Sequence, residues 1–105
     1  MGYIVVFITT PDKEVSSKLA KGLVENKLAA CVNIVDGLNS IYFWQGNIEN
    51  DSEQLLIVKT TEELFEKLEK FVKANHPYTV PEIIAIPIIK GSADYLNWIT
   101  ETVNS

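Results

Sequence analysis

The sequence predicts an α+β fold of the ferredoxin-like β-α-β-β-α-β type, closed by an additional C-terminal helix. Apolar periodicity alternates between strand-like and helix-like in that order, and cap or turn residues stand at nearly every change. The length supports the same reading: 105 residues, 47% of them hydrophobic, suit one core, so residues 1–105 are read as one domain without repeat or linker.

The first run, Tyr3-Ile4-Val5-Val6-Phe7-Ile8-Thr9-Thr10, is β-branched and aromatic without alternation, as expected of a central strand covered on both faces. Thr10-Pro11-Asp12 then supplies a cap and a first-turn proline for a helix that ends near Asn26-Lys27, with Val15, Leu19, Leu23 and Val24 as candidates for its apolar stripe. Strand character returns from Leu28 to Trp44, with a bulge or turn expected at Asp36-Gly37. Cys31 is expected to share a face with Ala29 and Asn33. Gly46-Asn47 marks a turn, residues 49–53 read as a polar connection, and Gln54-Leu55-Leu56-Ile57-Val58-Lys59 reads as a buried strand; together they form a long hairpin. Thr60 and Glu63 have the spacing of a capping box for a second helix, whose Leu64, Leu68, Phe71 and Val72 face inward. On its solvent side, Glu63–Lys67, Glu66–Lys70 and Glu69–Lys73 stand at i,i+4. A strand from Glu82 to Lys90 carries Pro87, which places it at a sheet edge or at a bulge; Gly91-Ser92 then caps a last helix whose apolar face is Tyr95, Leu96, Trp98, Ile99 and Val103.

Right-handed crossovers put the first and third strands in the centre of the sheet, with the strands from Leu28 and Glu82 at the edges. An edge strand carrying Ile41, Tyr42, Phe43 and Trp44 exposes backbone donors and aromatic area together, more than a monomer of this size covers. A closed homo-oligomer is therefore expected, in which a neighbour buries the hairpin and head-to-tail use of two edges favours a ring.

Composition narrows the function. The net charge of −5 offers no basic stripe for a phosphate backbone, so nucleic acid is not expected as a partner. No apolar run approaches the roughly 18 residues of a membrane span and no leader pattern opens the chain; a soluble, cytoplasmic protein is expected. Cys31, the only cysteine, excludes an internal disulfide and a multi-thiolate zinc site. Phosphate loops and serine elbows are absent from the sequence.

The one dense constellation is His76-Pro77-Tyr78-Thr79-Val80-Pro81-Glu82, where two prolines restrict the backbone around the only histidine. Such a segment either merely stops a helix and launches a strand, or presents a site. Cys31 is either a small buried thiol or a soft donor that, with the His76 imidazole, suits copper or zinc. Carboxylates such as Glu82, or a second subunit, would have to complete the sphere. Tyr42, Trp44 and Tyr78 are packing aromatics or cleft walls, and Glu53 and Lys59 are an ion pair or ligand contacts for a small metabolite or anion. A Cys31–His76 nucleophilic pair would need hydrogen-bond contact between them.

Several spaced motifs, Leu28-Ala29-Ala30-Cys31-Val32-Asn33-Ile34, Ser40-Ile41-Tyr42-Phe43-Trp44-Gln45-Gly46, Glu53, Lys59-Thr60-Thr61, His76 to Ile83 and Tyr95-Leu96-Asn97-Trp98-Ile99, occur in an order that resembles the CutA family of divalent-cation tolerance proteins over essentially the whole chain. The resemblance implies a PII-like subunit in a tight homotrimer, no established enzymatic activity, and an association with tolerance of copper and other divalent metals. It places Cys31 and His76 on positions proposed as copper ligands in some bacterial members. Two further such positions hold Ile8 or a neighbour, and Asn75, in this chain. The PII-like architecture also implies an alternative role, a sensor that binds a small metabolite or anion in inter-subunit clefts.

Overall fold

The computed structural model describes residues 2–105. Its elements run β1 (Tyr3–Thr10), α1 (Lys13–Glu25), β2 (Cys31–Trp44), β3 (Asn47–Thr61), α2 (Phe65–Asn75), β4 (Ile83–Pro87) and α3 (Ala93–Val103), with one 3-10 turn at Glu62–Leu64. The strands form one antiparallel sheet in the order β2-β3-β1-β4, which is the expected ferredoxin-like arrangement with β1 and β3 central.

Strand alternation sorts the residues into two layers. Val6, Ile8, Leu56 and Val58 point to one face, where Leu19 and Leu23 of α1 and Leu68 and Val72 of α2 cover them, and all eight are fully buried. On the opposite face, α3 covers only the end near Tyr3 and Ala30, burying Ile99 and Val103. The rest of that face, with Val35, Ile84 and Ile86, remains exposed.

Local chemistry accounts for the ends of α1. Asp12, not Thr10, is the N-cap: its Oδ1 accepts from the Val15 N–H at 3.0 Å, and Pro11 lies outside the helix. At the other end Leu28 N–H bonds to Leu23 O and Lys27 N–H to Val24 O, the paired bonds of a Schellman motif, with Lys27 at φ 59°. The bend at Ala30 breaks the alternation expected through Cys31, so Ala30 rather than Ala29 lies on the α3 side.

Several boundaries differ from the sequence reading. Thr60 is no helix cap; its hydroxyl donates to Leu28 O at 2.7 Å inside β3, and the cap at Thr61 makes no side-chain bond. Residues 49–53 belong to β3, because the hairpin turns tightly at Gln45 and Gly46, with φ 52° and 83°. β4 ends at Pro87, three residues early, with one further bond from the Ile88 N–H to Tyr3 O at 2.9 Å. Ser92 caps α3 without a side-chain bond. Of the three expected i,i+4 pairs on α2, Glu69–Lys73 forms, at 3.2 Å.

The expected irregularity at Asp36-Gly37 is a β-bulge: Val35 pairs with Leu55 and Leu38 with Glu53, so β2 spends three steps against two on β3. Gly37 takes φ 84°, the left-handed conformation glycine adopts without steric cost. The extra residue reverses the facing of everything beyond it. Leu38, Ser40, Tyr42 and Trp44 thereby join Glu53 on the face opposite α1 and α2, whereas Ile41, Phe43 and Ile48 occupy the other.

Candidate functional site

The segment from His76 to Glu82 lies against the ends of β1 and β3 and is tied to both. His76 caps α2 with extended backbone and is only 8% exposed. Its Nε2 stands 2.8 Å from Thr9 O, and since a carbonyl only accepts, Nε2 carries the hydrogen. Nδ1 is then the acceptor, and the Tyr78 N–H donates to it at 3.1 Å. Both ring nitrogens are engaged. The Tyr78 ring lies 4.6 Å from the imidazole, and its hydroxyl donates to Glu53 Oε2 at 2.7 Å. One side chain thus fixes the segment to β1 and another fixes it to β3.

Across from this wall stands the hairpin arm. The Tyr42 hydroxyl donates to Asp51 Oδ2 at 2.5 Å, and that bond, with burial and neighbouring carboxylates, pushes the phenol up to about 12. Burial and the bond to Glu53 hold the Tyr78 phenol well above its ordinary value. Both phenols therefore stay neutral donors at physiological pH. Between the walls lies a groove of about 670 Å³, with Tyr42, Trp44, Glu53, Tyr78, Val80 and Glu82 among its lining. It contains two carboxylates and three aromatic rings, and no lysine or arginine.

Of the residues singled out by sequence, Tyr42, Trp44, Glu53, Tyr78 and Glu82 meet here. Lys59 does not. It sits on the face of Glu53 but six residues along β3, about 20 Å away at strand rise. There it lies opposite Cys31 in register, with Nζ 4.0 Å from Sγ. The Cys31 thiol is half-buried and lies against the Tyr95 phenol, which burial, followed by the thiol, raises above its usual value.

Cys31 and His76 are also apart within one subunit. Cys31 is level with Val5 through Lys59, while His76 bonds to Thr9, about 13 Å further along β1 and two strands across. The pair makes no hydrogen bond for nucleophilic catalysis, and Cys31, His76 and Glu82 do not fit a metal ion inside one subunit. Among the described residues, no three His, Cys, Asp or Glu side chains converge into a possible metal site. The arrangement instead suits binding: fixed hydroxyls and carboxylates in an aromatic-walled groove.

Sequence reasoning missed Asp51, Ser40 and Thr9. The first two were accessible from the turn. Once Gln45-Gly46 is taken as a two-residue hairpin loop, Trp44 pairs with Asn47, and counting back sets Ser40 opposite Asp51 and Tyr42 diagonal to it.

Comparison with known proteins places this geometry. The CutA1 divalent ion tolerance protein family model matches residues 4–102. A divalent-cation tolerance protein CutA of Thermus thermophilus is 60% identical over 97 residues, spanning 92% of this chain and 94% of that protein. A chloroplastic CutA of Arabidopsis thaliana is 51% identical over 97% of this chain, which spans 56% of its length; the mouse and human CutA proteins are likewise matched over 56% and 55% of theirs. Among solved structures, the periplasmic divalent cation tolerance protein CutA from Archaeoglobus fulgidus superposes with a TM-score of 0.94 at 46% identity, covering 96% of this chain and 98% of that one. The chain belongs to the CutA1 divalent ion tolerance protein family.

Proposed function

We propose that the chain is a non-enzymatic, cytoplasmic homotrimer with PII-like architecture that takes up divalent cations, copper among them, weakly at donors completed across subunit clefts. The observation that carries the assembly is the arm: Ile41, Phe43 and Ile48 share one face and are 67%, 74% and 70% exposed. A contiguous apolar patch of that kind marks an interaction surface. Cation uptake draws on the net charge of −5, on Glu82 and on the soft, half-buried thiol of Cys31, the donor type copper favours. His76 joins such a site only by giving up Thr9 or Tyr78, so weak binding is expected. The relatives' names, which concern divalent-cation tolerance, support the same reading.

Equilibrium dialysis of copper against the protein and its Cys31→Ala, His76→Ala and Glu82→Gln variants tests it. Weak uptake that falls in at least one variant is the expected result; equal uptake by all four proteins removes these donors. A second reading, a PII-like sensor of a small metabolite, is favoured by the groove itself, whose aromatic walls and volume of about 670 Å³ suit an organic molecule better than a bare ion.

A further inference from the structure

Resting on the reading of the groove as a ligand site, we propose that it takes a small organic ammonium ion, held between Tyr42, Trp44 and Tyr78 with its charge toward Glu53. The charge of the lining favours a cation. Glu53 and Glu82 face the groove, Asp51 stands behind Tyr42, and no basic side chain contributes. An anion would meet carboxylates on both walls, and Lys59, the basic residue that shares the face of Glu53, is about 20 Å away along β3.

Glu53 sharpens the choice. It is 7% exposed, and its one hydrogen bond among the described residues is from the Tyr78 hydroxyl to Oε2. Among the described residues no lysine or arginine pairs with it. Carboxylates buried this far ordinarily have a cation or several donors, and Glu53, which lines the groove, has a single donor among the described residues, leaving acceptor capacity there. A metal ion answers that need poorly, because it requires several oxygens converging at short range and the described residues offer no such cluster. An alkylammonium ion needs less: one carboxylate for its charge, and ring faces for the carbons that carry it. Assembly through Phe43 and Ile48 uses the opposite face of the arm and leaves Tyr42 and Trp44 turned to the groove, which Ile41 borders at its edge.

The test compares three probes on the purified protein by calorimetry and thermal shift: choline, its uncharged carbon isostere dimethylbutanol, and inorganic phosphate. Choline is expected to bind roughly tenfold more tightly than dimethylbutanol, and Glu53→Gln to weaken choline by a similar factor. Since Glu53 is buried, Trp44→Leu at the more exposed wall provides a second variant, with the same loss expected. Equal binding of choline and dimethylbutanol, or choline binding unchanged in both variants, overturns the ammonium assignment. Phosphate or dimethylbutanol binding without choline also overturns it while keeping the groove as a ligand site, and no response to any probe overturns both.

Discussion

His76 illustrates how a side chain's availability depends on what already holds it. An imidazole that donates to Thr9 O and accepts from Tyr78 N–H has no lone pair left to offer, whatever its place in the sequence suggests. Its first role is to fasten the groove wall. Replacing it with alanine leaves a buried carbonyl and an N–H without partners, so His76→Ala is expected to lower stability by about 1–3 kcal/mol in urea unfolding. An unchanged midpoint would mean that the segment is held by its prolines alone. The residue stood out in the sequence because it is the only histidine, set beside two prolines. Its bonds did not, because a side chain that meets a backbone carbonyl 67 positions away leaves no pattern of residue types behind.

At the scale of elements, most of the fold was legible because burial on one face imposes a period. The apolar stripes of α1 and α2 follow directly from it; β1 is marked instead by its unbroken β-branched and aromatic run, although from Tyr3 to Ile8 only alternate residues are buried. Reading failed where both faces of a strand meet solvent or a side chain has two possible uses. The polar residues 49–53 carry no alternation, although they pair in register with β2. Thr60 has the composition of a cap, yet its hydroxyl serves the carbonyl of Leu28. The end of α1 offers a clean test. Its Schellman bonds require positive φ at a position occupied by Lys27, whose Nζ donates to Ser105 Oγ at 3.0 Å. Lys27→Gly removes the Cβ conflict and is expected to stabilise the protein by about 0.5–1 kcal/mol, read as a higher melting temperature. A lower one would give the Lys27–Ser105 contact more weight than the backbone.

Viewed whole, one chain is extended for its size. Its radius of gyration is 14.2 Å, against about 13 Å for a typical domain of this length, and its extents are 44 × 25 × 23 Å. The excess is the hairpin arm, whose Ile41, Phe43 and Ile48 stay mostly exposed in the single chain. Light scattering is therefore expected to report three times the 11.8 kDa of one chain, and Phe43→Asp to shift that mass toward the monomer. A monomeric mass for the unaltered protein would mean the arm stays bare. The bulge at Gly37 sets what such an arm can inherit. Strand facing has parity, and the groove wall and the outer apolar face differ only in being even or odd beyond that one extra residue. Point substitutions can tune either face separately. Regular strand geometry through Gly37 at unchanged length would exchange them, turning Ile41 and Phe43 to the face of Glu53 and Tyr42 and Trp44 away from it, so the one left-handed residue keeps the two faces of the arm apart.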